Sequence, residues 1–388
     1  MGMIDLFKKD NILEALDRIY KLPPLRKNRM INKEKNKLKN NNLLEKKLNK
    51  SYRRKINNYW KTHYGKKIKL FYHTAYKNVT EKKDPRVIPQ YIWREEICPF
   101  FNDLWMRTTY KDKNLADVLL NGQEGPSAIV KMMNGHYYNE DHELISENKV
   151  KNKILSGPKE QIIKSSQTDN AVGIKKLKIN DGKIIFNDEI VNLEHLEKIY
   201  GPNFIIQPII EQHPDMAKPH DSSVNTIRMT TFRWEKDIKI LLAFVRIGTG
   251  YKITDNMATE GVACCINNDG KLSDKAVDKW GKIYFKHPTT GFSFSELNSI
   301  PGYYKICEKA IRLHKQIFHF DIISWDFILS KDEKPIFLEM NFLGDIGYRQ
   351  LACEQPFFGD LTEEVLEKVK NSSEKPSRPP QRSVDISI

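Results

Sequence analysis

The sequence lacks the features that mark several common classes of protein. Its 388 residues include only five cysteines (Cys98, Cys264, Cys265, Cys307 and Cys353), and no pair of them has metal-ligand spacing. No apolar run approaches the length of a membrane span, and the N-terminus has no basic-then-apolar signal-peptide layout. These absences argue against a zinc site and a secreted disulfide scaffold, and they predict free thiols and a cytoplasmic protein.

Short catalytic signatures are missing as well. The sequence contains no Walker A, GxGxxG or GxSxG motif. The histidines at positions 213, 220, 287 and 314 have no zinc-binding spacing, which favours packing or hydrogen-bonding roles for them.

Positive charge is concentrated at the N-terminus. The formal net charge is +14, and residues 1–70 contain 21 Lys/Arg against 6 Asp/Glu, so the rest of the chain is nearly neutral. This segment can be a solvated helical face, or a surface that lies on an anionic membrane with help from Trp60 and Tyr64. Nucleic-acid binding is a minor third interpretation, because no recognised binding motif accompanies the charge.

Residues 321–342 read as two strands joined by a polar turn. If that turn is centred at 332–333, Asp326 lies opposite Glu339 at about 5 Å between Cβ atoms, and Asn341 follows on the same face. Carboxylates so close repel each other unless something positive lies between them, and Mg²⁺ would relieve that repulsion. A half-exposed hairpin with acids on its solvent face is the alternative.

The opposite face of the same hairpin is wholly apolar and should be buried. It comprises Ile323, Trp325, Phe327, Leu329, Ile336, Leu338, Met340 and Phe342, which leaves Phe337 on the polar face.

A small polar loop at 165–171 follows a strand that ends at Lys164. Such a loop can fold over phosphates through its backbone N–H groups, although a plain β-turn fits equally well. Arg228 and Arg246 lie on the two strands of a later hairpin, either as solvent-facing residues or as anion clamps.

Taken together, eight blocks resemble an ATP-grasp enzyme, and more specifically the sugar-transfer-associated ATP-grasp proteins found among polysaccharide-biosynthesis genes. The blocks are DKN at 112–114, IIKSSQTDNAVGI at 162–174, FIIQPIIEQHP at 204–214, SSVNTIRMTT at 222–231, RIGTG at 246–250, DN at 255–256, KHPTTGF at 286–292, and WDF with EMN at 325–327 and 339–341. The resemblance covers residues 50–370.

The resemblance implies roles for individual residues. Lys113 and Lys164 would bind the α- and β-phosphates. The hinge that receives the adenine edge would be Gln207, Ile209 and Ile210, and the ribose would be held by Glu211 or Asp215. The Mg²⁺ ligands would be Asp326, Glu339 and Asn341. Arg228 and Arg246 would stabilise transferred phosphate, and the acceptor site would be bordered by Asn225, Asp255, Asn256 and His287.

The implied fold is α+β: an ATP-grasp fold in which two α+β subdomains grip ATP, after a small α/β domain and a basic helical extension. The predicted segments are 1–70 (basic extension), 71–140 (small α/β domain), 141–210 (lid subdomain), 211–370 (main subdomain with the Mg²⁺ hairpin) and 371–388 (disordered tail).

The implied function is an ATP- and Mg²⁺-dependent ligase that joins a carboxylate to an amine through an acyl phosphate, on a sugar acid or related precursor of capsule or exopolysaccharide. Residues 1–70 would approach an anionic membrane or a lipid-linked precursor at the inner membrane face. One alternative is a kinase of the same fold that acts on a sugar or alcohol. The other is a nucleotide-binding scaffold or sensor, suggested by Ala171 and Glu260 where the family has glycines.

Overall fold

The computed structural model describes residues 23–122, 124–168, 173–250 and 261–372. The described residues form two compact units, one made of residues up to Pro99 with those from Asp345 onward, the other of Phe100–Gly344. None of the described helices is long and apolar enough to cross a membrane. The predicted five-segment division cuts the chain at other places and stays a prediction.

Helices dominate the described part of the chain before residue 122, and strands dominate after it. The α-helices are α1 Pro23–Asn40, α2 Lys50–Tyr64, α3 Phe71–Thr80, α4 Gln90–Ile92, α5 Cys98–Phe101, α6 Arg107–Lys111, α7 Ala116–Leu119, α8 Glu147–Ser156, α9 Leu193–Tyr200, α10 Pro214–Ala217, α11 Tyr303–His314, α12 Gly347–Cys353 and α13 Thr362–Asn371. A π-helical turn spans Trp93–Ile97, and 3₁₀ turns span Lys113–Leu115, Phe294–Glu296 and Gly359–Leu361.

The strands are β1 Val130–Met133, β2 His136–Tyr138, β3 Glu160–Ser165, β4 Lys175–Asn180, β5 Lys183–Phe186, β6 Glu189–Val191, β7 Phe204–Pro208, β8 Thr226–Trp234, β9 Asp237–Ile247, β10 Val262–Ile266, β11 Leu272–Asp278, β12 Ile283–Tyr284, β13 Ile322–Leu329 and β14 Pro335–Asn341. They form two seven-stranded antiparallel sheets. The lid sheet has the order β2-β1-β7-β3-β4-β5-β6, and the main sheet has the order β12-β11-β10-β9-β8-β13-β14.

In the unit made of residues up to Pro99 and from Asp345 onward, the basic segment contributes side chains to a packed interior. Helix α2 begins where the Asn49 side chain accepts a hydrogen bond from the Tyr52 N–H (2.9 Å). Its buried side chains recur every fourth residue: Tyr52, Ile56, Trp60 and Tyr64. The Trp60 indole donates to the Pro85 carbonyl at 2.8 Å. The expectation that Trp60 and Tyr64 help to contact a membrane is therefore wrong, because both rings belong to the core.

The β13–β14 hairpin has the predicted register at its acids. Asp326 pairs with Glu339, and Ser324 pairs with Asn341. Both carboxylates therefore lie on one face of the main sheet, as the alternation of the sequence indicates.

The apolar face of this hairpin departs from the prediction at a β-bulge. The ladder shifts after Asp326, so that Phe327 pairs with Phe337 rather than with Leu338. Phe337 is consequently buried at 3% exposure, with its ring 6.0 Å from that of Trp325. Leu338 is only partly buried. The predicted placement of Phe337 on the polar face is wrong, because the extra residue reverses the alternation beyond the bulge.

The cysteines are not all free thiols. Cys98, Cys264 and Cys307 are free, whereas Cys265 and Cys353 are disulfide-bonded. The prediction of five free thiols is wrong for those two residues.

Candidate active site

A row of charged side chains crosses the main sheet at its centre. Strand register aligns Arg228 on β8 with Asp326 on β13 and Glu339 on β14. The Arg228 guanidinium donates to both carboxylate oxygens of Asp326, at 2.5 Å from Nε to Oδ1 and at closer range from Nη2 to Oδ2. Its Nη2 also lies 3.8 Å from Glu339 Oε1. This fork-to-fork pairing fixes the orientation of both side chains.

Arg246 extends the same row from β9. Its Nη2 lies 3.3 Å from Asp326 Oδ2, and its Nε and Nη2 donate to Thr226 Oγ1 at 3.0 and 2.8 Å. Both predicted arginines thus converge on one buried carboxylate, with planar, delocalised charge of the kind that suits phosphoryl oxygens.

The Asp326 carboxylate is ionised despite being only 1% exposed. Burial alone would raise its pKa, but the charges of Arg228 and Arg246 outweigh burial and hold the pKa below its ordinary value. The positive group between the two acids is therefore a guanidinium. Mutual repulsion of the acids does not by itself call for Mg²⁺.

The donor chemistry of the row nevertheless fits Mg²⁺. Asp326, Glu339 and Asn341 bring two carboxylates and a carboxamide to one face, and Mg²⁺ favours oxygen ligands with positions left for phosphate. The Asn341 amide donates to Glu339 Oε1 at 3.0 Å, so the three side chains are already adjacent. Within the described ranges, no cluster of three or more His, Cys, Asp or Glu side chains is placed to hold a metal.

Of the two predicted phosphate lysines, Lys164 lies on β3 of the lid sheet and Lys113 begins the 3₁₀ turn Lys113–Leu115. Lys113 donates from its backbone N–H to the Ser166 carbonyl (3.0 Å) and from Nζ to the Thr168 carbonyl (2.8 Å). Burial lowers the pKa of Lys164 to about 8, the charge of Lys113 lowers it as well, and Glu339 raises it. The charge of Lys164 therefore interacts with both the second lysine and Glu339 of the charged row. Such surroundings are expected at a site for a Mg²⁺-bound polyphosphate.

A cleft of about 420 Å³, counted with its solvent-open part, lies beside these lysines. Its lining combines charged and apolar side chains: Lys113, Ala116, Asp117, Leu120, Glu124, Gly125, Pro126, Ala128, Lys131, Lys164, Ile205, Gln207, Phe337 and Leu338. Lys113, Lys164 and Gln207 are thus brought to one cleft.

Three of the predicted hinge and ribose residues form a hydrogen bond or an ion pair. Gln207 donates from Nε2 to the Pro126 carbonyl at 2.7 Å. Ile209 and Ile210 follow β7 and are partly buried. Glu211 pairs with Lys331 (2.6 Å), and Asp215 pairs with Lys218 (2.5 Å). None of Ile209, Ile210, Glu211 or Asp215 is among the residues that line the cleft.

Asn225, predicted to border the acceptor, is fully buried and saturated with hydrogen bonds. Its Nδ2 donates to the carbonyls of Met216 (2.7 Å) and His220 (2.8 Å). Its Oδ1 accepts from the Gly248 N–H (3.3 Å) and the Ser223 hydroxyl (3.1 Å). The side chain fixes the segment that follows Arg246. Asp255 and Asn256, like Ala171 and Glu260, lie outside the described residues.

His287 supports the same segment from the other side. Its Nε2 donates to the Gly248 carbonyl at 2.7 Å, and its Nδ1 lies 3.1 Å from Thr290 Oγ1. Burial lowers the pKa of His287, so the ring is neutral at pH 7 and presents one donor and one acceptor.

Replacing His287 with alanine is expected to destabilise the protein by about 1–3 kcal/mol, because the buried Gly248 carbonyl loses its hydrogen-bond donor. His287→Gln, which retains a donor, should recover part of that loss. His136→Ala, at an exposed position of β2, is the matched control and should change stability by less than about 0.5 kcal/mol. Urea unfolding midpoints measure all three, and equal midpoints for His287→Ala and the control would contradict the role.

Asp117, Lys131 and Leu338 are among the cleft residues to which the sequence analysis gave no role in the site. A signal for Lys131 exists, because Val130 and Met132 on either side of it are buried in the core of the lid sheet. Alternation then turns Lys131 to the opposite face. Leu338 was missed because the bulge is not visible in the sequence.

The family model described as sugar-transfer associated ATP-grasp matches residues 100–366. No curated protein sequence matches the chain.

Several solved structures are similar to part of this chain at low sequence identity. The L-amino acid ligase from Bacillus licheniformis is 12% identical over 68% of this chain and 48% of its own, with a TM-score of 0.35, so the chain spans about half of its length. The D-alanine–D-alanine ligase from Bacillus anthracis is 15% identical over 67% and 68%, with a TM-score of 0.37. The VanG D-Ala:D-Ser ligase from Enterococcus faecalis is 12% identical over 70% and 64%, with a TM-score of 0.41.

At these identities and TM-scores, the three likenesses carry no conclusion about activity. The family match does not depend on them, since it extends over more than half of the chain. The protein belongs to the sugar-transfer associated ATP-grasp family.

Proposed function

We propose that this protein is an ATP- and Mg²⁺-dependent ligase that joins a carboxylate to an amine. The observation that carries the proposal is the opposition of two charged groups. Lys113 and Lys164 lie on the lid side, and the Arg228–Asp326–Glu339 row lies on the main sheet, with Glu339 near enough to raise the pKa of Lys164. A polyphosphate with a divalent cation satisfies both groups at once.

The proposed reaction has two steps, and Arg228 and Arg246 assist the first of them. The carboxylate substrate attacks the γ-phosphorus, the bond to the β–γ bridging oxygen breaks, and ADP leaves. Arg246 and Arg228 are placed to stabilise the negative charge that spreads over the transferred group. The amine then attacks the acyl carbon, loses a proton, and displaces phosphate to leave an amide. Mg²⁺ held by Asp326, Glu339 and Asn341 would supply charge neutralisation.

Hydroxylamine trapping tests the reaction class. In the presence of ATP, Mg²⁺ and candidate sugar acids, a ligase that forms an acyl phosphate converts hydroxylamine to a hydroxamate and releases ADP. A kinase of the same fold would release ADP but give a phosphate ester and no hydroxamate. Binding of MgADP without release of ADP from ATP with any sugar acid would count against the enzyme proposal and leave the nucleotide-binding scaffold. Failure to bind MgADP would count against both.

For the substrate we propose a sugar acid or related glycan precursor, in keeping with the association of the family with sugar transfer. The exposed basic face of helix α2 would approach an anionic membrane or a lipid-linked precursor, with the enzyme peripheral to the inner membrane face. The exposed cations of that helix are Lys50, Arg53, Arg54, Lys55 and Lys61.

Changing those five residues to glutamine is expected to abolish binding to phosphatidylglycerol vesicles. Each cation near an anionic surface contributes about 1 kcal/mol, so the loss is about 5 kcal/mol. Vesicle co-sedimentation measures it, and wild-type binding should fall as salt rises. The control changes five exposed lysines elsewhere, namely Lys175, Lys176, Lys178, Lys183 and Lys198. Equal binding by the wild type and the α2 variant would refute the membrane contact.

A further inference from the structure

One edge of the main sheet carries a surface on which lysines and aromatic rings are interleaved. We call it the edge hairpin: residues 272–286, which comprise strands β11 and β12, the turn between them and the two residues that follow β12. Its sequence contains four lysines and two acids. Two of its rings are accessible to solvent, with Trp280 37% exposed and Phe285 62% exposed. The surface is therefore both cationic and aromatic, and the nucleotide site described above does not use it.

The turn of the edge hairpin is held from inside by Asp278, which is buried. Its Oδ1 accepts hydrogen bonds from the backbone N–H groups of Trp280 (2.7 Å) and Lys282 (3.0 Å). Its Oδ2 accepts from the Tyr284 hydroxyl at 3.2 Å. Because one buried carboxylate binds these three donors, the turn has a fixed shape in the free protein.

Two lysines of the turn lie over aromatic rings of the same turn. Lys279 Nζ is 4.8 Å from the centre of the Trp280 ring, and Lys282 Nζ is 4.8 Å from the centre of the Tyr284 ring. At that distance the cation is attracted to the face of the ring. Each pair therefore presents an ammonium group directly beside an aromatic ring.

This combination of groups matches the chemistry of an acidic sugar. One face of a pyranose ring consists of C–H groups, and it packs on an aromatic ring because both surfaces are apolar. The carboxylate of an acidic sugar forms charge-assisted hydrogen bonds with an ammonium group. A neutral sugar would use only the rings, and inorganic phosphate would use only the lysines.

Strand register gives the position of the edge hairpin relative to the proposed active site. Arg246 on β9 pairs with Ala263 on β10, which pairs with Val277 on β11. Val277 in turn pairs with Ile283 on β12, so β12 lies three strand spacings from the arginine, about 14 Å. Ala263 and Val277 are buried, so the sheet face between the two places is covered. The edge hairpin is thus a separate surface, which a chain of several sugars bound at Arg246 would reach and a single sugar would not.

We propose that the edge hairpin binds an acidic glycan chain. Trp280 and Phe285 stack on its sugar rings, and Lys279 and Lys282 pair with its carboxylates. This inference deepens the proposed function and rests on the glycan substrate proposed there, with which the association of the family with sugar transfer agrees. Single-stranded nucleic acid and anionic membranes also bind surfaces that combine rings and cations, so both enter the test as rival ligands.

The test measures binding of oligosaccharides to the full chain by calorimetry in the absence of nucleotide. The ligands are hexagalacturonate, which carries a carboxylate on every sugar, and maltohexaose, which carries none. One variant removes the rings (Trp280→Ala/Phe285→Ala). A second variant removes the cations and keeps the rings (Lys279→Gln/Lys282→Gln).

Both variants should keep the shape of the turn, because Asp278 contacts the two substituted positions within the turn through backbone N–H groups. The matched control is Tyr304→Ala/Lys305→Gln on helix α11. It also removes an exposed ring and the cation beside it, since Tyr304 is 62% exposed and Lys305 Nζ lies 6.0 Å from the centre of its ring.

The wild type should bind hexagalacturonate at least about tenfold more tightly than maltohexaose, because only the acidic ligand forms charge-assisted contacts. That binding should weaken as salt rises. The ring variant should bind both oligosaccharides at least about tenfold more weakly. The cation variant should bind hexagalacturonate at least about tenfold more weakly and lose the preference for the acidic ligand. The control should bind both ligands as the wild type does.

Three results overturn the proposal. One is a wild type that binds MgADP but not hexagalacturonate, which leaves the nucleotide function intact. Another is unchanged hexagalacturonate binding by both hairpin variants. The third is unchanged hexagalacturonate binding together with a loss of binding to oligothymidylate or to phosphatidylglycerol vesicles, which would assign the hairpin to nucleic acid or to a membrane. A wild type that binds hexagalacturonate through the hairpin but does not bind MgADP would support the glycan surface and refute the proposed nucleotide function.

Discussion

The double variant Asp326→Asn/Glu339→Gln is expected to lose the Mg²⁺-dependent stabilisation that MgADP gives the wild type. A ligand at one hundred times its dissociation constant stabilises the folded state by about 2.7 kcal/mol, and that increment should fall to near zero. The reason is electrostatic, because Glu339 is near enough to Lys164 to raise its pKa, and Asp326 pairs with Glu339 on the same face of the main sheet. Turnover should fall by at least about 100-fold. Thermal unfolding with and without Mg²⁺ measures the binding part.

The same substitution has a cost to folding that must be separated from binding. Asp326→Asn leaves Arg228 and Arg246 without their buried counter-charge, which typically costs about 3–5 kcal/mol. Glu339→Gln alone avoids that cost, since Glu339 is partly exposed, and it should still weaken MgADP. Asp321→Asn is the matched control, because it removes an acid from an Arg233 pair (3.2 Å) away from the charged row. A folded double variant that keeps the full Mg²⁺-dependent shift would refute the metal assignment.

Replacing Lys164 with methionine is expected to weaken MgADP by at least about 100-fold and at the same time to stabilise the free protein. Binding falls because a charge-assisted contact to phosphate is lost. Stability rises because burial and the neighbouring Lys113 disfavour the charged form of Lys164 in the folded state, where its pKa is about 8 against 10.5 ordinarily. The gain at pH 7 is about 3 kcal/mol, because each pKa unit corresponds to about 1.4 kcal/mol.

The effect of Lys164→Met on the free energy of unfolding depends on pH, because Lys164 has a lowered pKa in the folded state. Between pH 8 and 10.5 the unfolded state holds the Lys164 proton and the folded state has released it, so wild-type stability rises with pH over that window. The advantage of Lys164→Met is therefore complete below pH 8 and fades toward pH 10.5. Urea unfolding at pH 7 and pH 10 tests it, with Lys178→Met on exposed strand β4 as control. A constant difference at both pH values would contradict the depressed pKa.

How far the sequence predicts this structure depends on the range of the interactions involved. The Asp326–Glu339 register was predictable, because a short polar turn and strict alternation fix the pairing locally. The bulge that buries Phe337 was not predictable from the sequence. At that point the Phe337 N–H donates to the Glu124 carbonyl, 2.9 Å away and more than two hundred residues earlier in the chain. No residue within the hairpin predicts that contact.

The same distinction explains the errors elsewhere. The basic N-terminal segment looks weakly packed because its lysines dominate the count, yet four side chains at every fourth position of α2 are enough to bury one face. Lys131 and Asp117 are ordinary polar residues in the sequence. Only the fold brings a strand lysine and a helical acid to one cleft, and the fold also turns Asn225 inward, where it holds a turn of backbone.

The Arg228–Asp326 pair joins strands whose residues lie 98 positions apart in the chain. Closing a loop of that length costs about 4 kcal/mol of chain entropy, and until β13 docks beside β8 the Arg228 side chain has no counter-charge in the sheet centre. A sheet without β13 keeps that chain entropy but lacks the Arg228–Asp326 pair, so docking of β13 loses the entropy and gains the pair in one step. The pair therefore couples assembly of the sheet centre to closure of the loop between β8 and β13.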